Sequence, residues 1–214
     1  FNVNGTFTNT IITGFTQGVG ADKSDNSYIR ADLGQNETKT ITVNGKNYTI
    51  KNRIPNQVNN ASFVYKYDSV EDKAIFGIGK QEIRGQLDVS HNMEIYGAEG
   101  EIYGGNLDDT INLKAGDSLY AYGGKGDDTL TIDKSANYCG VYGGEGSDTI
   151  YGYGTNSVYY GGSDSPKEGE KDGNDMFYIY DKTVRDLNGG IGDDTYYMNG
   201  SASCRDDFGN NIYY

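Results

Sequence analysis

Short runs in which every second residue is apolar recur through the second half of the chain, each preceded by a glycine-rich stretch ending in aspartate. The runs are Thr110-Ile-Asn-Leu113, Thr129-Leu-Thr-Ile132, Thr149-Ile150, Met176-Phe-Tyr-Ile179 and Thr195-Tyr-Tyr-Met198. An alternation of two predicts half-buried strands, with Ile111, Leu130, Ile150, Phe177 and Tyr196 as one inward column. A second set of runs ends at the double glycines. Aligned there, Ile102, Ala121, Val141, Tyr159 and Leu187 face inward, and Tyr103, Tyr122, Tyr142, Tyr160 and Asn188 face outward, the tyrosines as a stacked ladder.

The turns between these sets are Gly104-Gly-Asn-Leu-Asp-Asp109, Gly123-Gly-Lys-Gly-Asp-Asp128, Gly143-Gly-Glu-Gly-Ser-Asp148, an interrupted Gly161-Gly with Gly173-Asn-Asp175, and Gly189-Gly-Ile-Gly-Asp-Asp194. Their first glycines stand 19, 20, 18 and 28 residues apart, so one coil holds two strands and two turns. The second turn of each coil is poorer: Lys114-Ala-Gly-Asp117, Asp133-Lys-Ser-Ala-Asn137, Gly152-Tyr-Gly-Thr-Asn156 and Asp181-Lys-Thr-Val-Arg-Asp186. It is expected to turn through glycine and Asx geometry. The predicted fold class is all-β: a parallel β-roll over residues 83–200, preceded by a smaller β-rich region over 1–82 and followed by a tail or cap over 201–214.

Stacking the coils piles Asp109, Asp128 and Asp148 over one another. At about one strand spacing, ~4.8 Å, and an effective dielectric of ~20, neighbouring carboxylates repel by roughly 3.5 kcal/mol. A cation between them relieves that repulsion. Carboxylates and backbone carbonyls are hard oxygen donors, which suit Ca²⁺ better than zinc or copper.

The pattern G-G-x-G-x-D-x-U-x, with U a large apolar residue, resembles the calcium-binding repeats of the RTX (repeats-in-toxin) family over about the second half of the chain. The resemblance implies ions between successive turns. The carboxylate ligands would be Asp109, Asp128, Asp148, Asp175 and Asp194. Carbonyls would come from the turn segments, namely Gly104, Gly105 and Leu107; Gly123, Gly124, Lys125 and Gly126; Gly143, Gly144, Glu145 and Gly146; Gly161, Gly162 and Gly173; and Gly189, Gly190 and Gly192. Five turns allow at most four interturn sites in this row. Leu107 in place of a glycine predicts a strained first turn or a weaker site, and the acidic insertion 163–172 is expected to loop out of the fourth. The family resemblance further implies a non-catalytic, secreted or cell-surface module, exported through a type I secretion channel and folding on Ca²⁺ outside the cell, as part of a surface-layer subunit or adhesin. The alternative is the C-terminal secretion and folding module of an RTX enzyme or pore-forming toxin.

Composition narrows the partners. A formal net charge of −13 argues against nucleic acid, whose phosphates want a basic face. There is no apolar run long enough for a transmembrane helix and no signal-peptide pattern, and the start at Phe1 reads as an excerpt of a longer protein. Cell-surface, glycan or self-assembly partners remain open, with the 20 tyrosines as one route to a glycan. His91 is the only histidine, which excludes multi-histidine zinc sites; no His-Glu-x-x-His or Gly-x-Ser-x-Gly motif occurs, and in the polar segment Ser90-His-Asn92 it reads as solvent-facing. Cys139 aligns with Leu119 and Ser157, and with Cys204 it reads as one of two ordinary thiols. Asp22 to Asn26 does not complete an EF-hand loop.

The region before the repeats reads as strands over Phe7–Phe15, Tyr28–Leu33, Ala61–Tyr67 and Lys73–Ile78, with a hairpin of 38–43 and 46–50 about Asn44-Gly45. Residues 83–103 read as degenerate first coils, and the N-terminal region is expected to cap the roll.

Overall fold

Burial follows the alternation in the sequence. In the strand Thr129–Asn137, Leu130 and Ile132 are fully buried and Thr129 and Thr131 are not, which is how one face of a sheet reaches the core. The structure is a computed structural model that describes residues 28–34, 37–53, 61–162, 172–199 and 212–214. The strand expected over Phe7–Phe15, the Asp22 to Asn26 segment, Cys204 and most of the tail lie outside the described residues.

Before the repeats come β1 (Ile29–Leu33), β2 (Thr38–Val43), β3 (Lys46–Asn52), β4 (Ala61–Asp68) and β5 (Lys73–Gly85). They pair antiparallel, β1 with β4, β2 with β3, and β5 with both β3 and β4. Asn44 and Gly45 both adopt left-handed backbone, the geometry that a two-residue hairpin requires. β5 is the hinge of the architecture, because its other edge pairs parallel with β6 (Asn92–Gly105). It runs through the position at which the sequence divides the two regions, and one apolar core extends from Ala31 to Tyr196.

From β6 onward the chain winds as a parallel β-solenoid of about six turns. The later strands are β7 (Thr110–Asp117), β8 (Leu119–Lys125), β9 (Thr129–Asn137), β10 (Gly140–Glu145), β11 (Thr149–Gly152), β12 (Val158–Tyr160), β13 (Met176–Ile179), β14 (Asp186–Asn188), β15 (Thr195–Met198) and β16 (Ile212–Tyr213). One wall runs β6-β8-β10-β12-β14 and the other β6-β7-β9-β11-β13-β15-β16. Register keeps the expected columns: Ile102, Ala121, Val141, Tyr159 and Leu187 on one wall, and Ile111, Leu130, Ile150, Phe177 and Tyr196 on the other. The outward ladder Tyr103-Tyr122-Tyr142-Tyr160 stacks with ring centroids 4.7, 4.9 and 5.0 Å apart, and the Arg84 guanidinium covers its first ring.

The poorer turns use a device the sequence reading did not anticipate. Ser118, Tyr138 and Asn156, one per coil, take left-handed backbone one or two residues before the next strand begins. In the last described coil the buried Asp181 accepts hydrogen bonds from Ser157 N, Tyr159 OH, Thr183 N and Thr183 Oγ1.

Candidate metal centre

Each acidic turn delivers its final aspartate just ahead of a strand that enters the core, so the carboxylate is drawn inside with it. Asp109, Asp128, Asp148, Asp175 and Asp194 are all at most 2% exposed. They form a single file held by the backbone. Oδ1 of Asp128 accepts the N–H of Asp109 at 2.6 Å, and Asp148, Asp175 and Asp194 repeat this toward the coil before, each at 2.7 Å. The stacking that reads as plain repulsion in the sequence is therefore partly answered by N–H dipoles.

The second oxygen is not. Oδ2 of Asp109, Asp128, Asp148 and Asp175 is buried without a hydrogen-bond partner. A buried polar group left unmatched is costly, and a row of them in one place asks for a ligand. The first glycine of each turn shows where these atoms point. A methyl group on Gly123 would lie 2.0 Å from Asp128 Oδ2 and 2.6 Å from the carbonyl oxygen of Gly143 in the next coil. On Gly104, Gly143 and Gly161 it would meet the same pair of atoms. A carboxylate oxygen from one coil and a carbonyl oxygen from the next thus converge over a glycine that cannot be replaced. Both are hard donors, so the residues present fit a calcium-type cation. Among the described residues no three acidic, histidine or cysteine side chains gather about one point, so any such ion would be held by the file and by carbonyls.

Burial pushes these carboxyls up, to about 6 for Asp109, about 8 for Asp128, about 7 for Asp148 and about 10 for Asp175. The N–H bonds pull the other way, and neighbouring carboxylates add to the rise, Asp109 and Asp148 for Asp128 and Asp148, Asp172 and Asp194 for Asp175. The column has two ways to neutralise itself: take up protons or take up a cation.

The residue before each aspartate has a separate duty. Asp108 Oδ1 accepts Asp127 N, Asp127 Oδ1 accepts Ser147 N, Ser147 Oγ accepts Asn174 N, and Asn174 Oδ1 accepts Asp193 N. This outer row caps the coil after it, the inner row the coil before it, which explains why the outer position takes any short acceptor.

Three expectations need correction. Asp172 belongs to the turn and not to the insertion, whose residues 163–171 lie outside the described residues: Asp172 bridges to Gly146, and its carboxylate accepts Gly173 N at 3.1 Å and Ile191 N at 2.7 Å. Gly161-Gly162 and Asp172-Gly173-Asn174-Asp175 together complete the repeat. Of the two alternatives for Leu107, a strained turn or a weaker site, the first is set aside, since the left-handed backbone that Gly126 and Gly146 adopt at this position is absent there. The third correction concerns His91, which is 2% exposed. His91 heads the aspartate file, its N–H donating to Asp109 Oδ1 at 2.6 Å. Its ring packs 4.8 Å from that of Tyr48, Nε2 lies 3.0 Å from Gln86 O, and burial holds its pKa below the usual value. A neutral imidazole stands where later coils have a carboxylate, and Nε2–H donates to a carbonyl. The signal was in the sequence: Met93 and Ile95 match Ile111 and Leu113, which sets His91 against Asp109.

The remaining turn residues contribute through their backbone. Lys125 and Glu145 pair their side chains at 2.7 Å in solvent, while the Glu145 carbonyl accepts Gly126 N at 2.9 Å. Gly189 and Gly190 follow β14 and Gly192 precedes Asp194, with Gly105, Gly124, Gly144 and Gly162 in the corresponding second positions. Cys139 is buried in the Leu119 and Ser157 column. Among the described residues no helix is long and apolar enough to cross a membrane. In comparisons with known proteins, no protein family, curated protein or solved structure matches the chain.

Proposed function

We propose that this chain is a calcium-binding, non-catalytic structural module of an extracellular protein, of the surface-layer or adhesin kind, that completes its fold when Ca²⁺ is bound. The observation that carries the reading is the file of buried aspartates whose Oδ2 atoms, from Asp109 to Asp175, lack hydrogen-bond partners. A bound divalent ion would supply the positive charge that the carboxylates and glycine carbonyls face. The chain's own part is to hold one carboxylate per coil at the strand spacing, fix it by Oδ1, and present Oδ2 beside a carbonyl of the next coil. Because the unfolded chain cannot assemble such a row, binding free energy becomes folding free energy. That coupling suits a protein that meets abundant calcium only after export.

The test is circular dichroism and calorimetric titration of the full chain at neutral pH in EGTA and in calcium. Sheet content and melting temperature rising with Ca²⁺, with several sites per chain, are expected. Unchanged sheet content and melting temperature after rigorous decalcification overturn the proposal.

A further inference from the structure

Charge is spread unevenly along the outer face of the second wall. Its early strands carry ion pairs, Lys73 with Glu94 at 2.7 Å and Lys114 with Asp133 at 3.0 Å. From β11 onward the outward positions carry none. Thr149, Met176, Thr195 and Ile212 form one row, and Tyr151, Tyr178, Tyr197 and Tyr214 the next, with Tyr153 and Tyr180 beyond them. Exposure there is high for such side chains, 43% for Tyr153, 48% for Tyr180, 37% for Met176, 49% for Ile212 and 68% for Tyr214. In a chain of net charge −13, a flat aromatic face free of charge is an anomaly.

We infer that this face, Tyr151 to Tyr180 with Tyr197 and Tyr214, is a self-association surface that receives the same face of a second copy. Three observations select that occupant. Acidic surface repels another copy of the chain, whereas contact through these rows brings no carboxylates together, and Tyr153, Tyr180 and Tyr214 are more exposed than the tyrosine ladder of the first wall. The rows repeat at 4.9 to 5.1 Å between ring centroids, so a twofold-related copy meets an identical period. In-register rows of like side chains on stacked strands interdigitate as dry sheet-to-sheet contacts, and a self-complementary patch closes as a dimer. A glycan stacking on aromatic faces is the poorer fit, because within each row the rings already cover one another, with interplanar angles of 10°, 5° and 9° along Tyr151-Tyr178-Tyr197-Tyr214.

The experiment is sedimentation velocity of the full chain over a concentration series, on samples whose sheet content is verified by circular dichroism. The wild type is expected to form a dimer that Tyr153→Glu with Tyr180→Glu abolishes, whereas Lys51→Glu, exposed on β3 and away from this wall, leaves it intact. A monomer at every concentration, or a dimer indifferent to the glutamates, overturns the inference. Photo-oxidative dityrosine cross-linking of the unaltered chain is the second readout: inter-copy links among Tyr151, Tyr153, Tyr178, Tyr180, Tyr197 and Tyr214 support it, and links confined to tyrosines off this face overturn it. Neither measurement depends on which ion, if any, folds the roll, so a null calcium titration leaves this result standing.

Discussion

Asp128 reaches back to Asp109: its Oδ1 accepts the Asp109 N–H at 2.6 Å while its Oδ2, buried, has no hydrogen-bond partner. One carboxylate is thus divided between a structural bond and a waiting ligand position. Asparagine separates the two duties, because its carbonyl oxygen still caps the Asp109 N–H while its amide brings no charge. Asp128→Asn should therefore lower stability in calcium by about 1–3 kcal/mol, the order of losing a charge-assisted contact. In EGTA above pH 8 it should be neutral or stabilising, since no carboxylate is then forced to ionise inside the roll. Asp109→Asn should lose less in calcium, having an aspartate neighbour on one side only. Denaturant melts of both variants with and without Ca²⁺ check this, and effects that are the same in the two buffers would show that this carboxylate holds no ion.

The pH dependence without calcium has a definite sign. An unfolded aspartate titrates near 3.8, whereas folded Asp128 is pushed up to about 8 and Asp148 to about 7 by burial. Between those values the folded chain holds protons that the unfolded chain has released, so stability falls as pH rises. The calcium-free protein should be most stable near pH 4 and weaken progressively as pH rises, the last contribution being lost toward about pH 10, where buried Asp175 gives up its proton. Calcium should flatten that slope, and its binding should release protons, visible as a titration enthalpy that depends on the ionisation heat of the buffer. A calcium-free melting temperature that climbs from pH 5 to 8 would contradict the buried column.

Period and residue type carried the solenoid. Ile111, Leu130, Ile150, Phe177 and Tyr196 could be aligned because each follows the same turn, and a strand slipped by one residue would turn all of them to solvent. The acidic file was legible for the same reason. What stayed hidden was long-range: His91 looks polar and local until register sets it against Asp109, and Asp172 looks like loop until it bridges to Gly146. The N–H bond to each Oδ1 was equally invisible, because it depends on the vertical offset between coils. Sequence alone therefore overstated the repulsion in the column and missed that half of each carboxylate is already satisfied.

Tyr138 adopts φ 53° in an exposed turn, where Ser118 and Asn156 serve the neighbouring coils. A left-handed conformation disfavours a large L side chain by roughly 1–2 kcal/mol, and asparagine tolerates it better. Tyr138→Asn should raise stability by about 1 kcal/mol, equally with and without calcium, since the turn lies on the opposite side of the roll from the aspartates. Chemical denaturation measures it, and a loss of stability would mean that the half-exposed ring makes a contact worth more than the strain.

His91 closes the file without needing an ion. Its ring is packed against Tyr48, its Nε2–H donates to Gln86 O, and its backbone N–H takes Asp109 Oδ1. The turn before β6 should accordingly be indifferent to calcium, unlike the turns that follow. His91→Gln removes the ring packing and leaves a poorly matched amide in the core, a loss of about 2–4 kcal/mol by the usual range for truncating a buried ring. That loss should be the same in calcium and in EGTA, whereas the loss at Asp128 should not. Hydrogen exchange gives the residue-level version: in EGTA the amides of Met93 to Ile95 should stay protected while those of Thr129 to Ile150 exchange, and calcium should protect the second group only. Simultaneous loss at both places would mean that the roll unfolds as one unit and that His91 gives its first coil no independence.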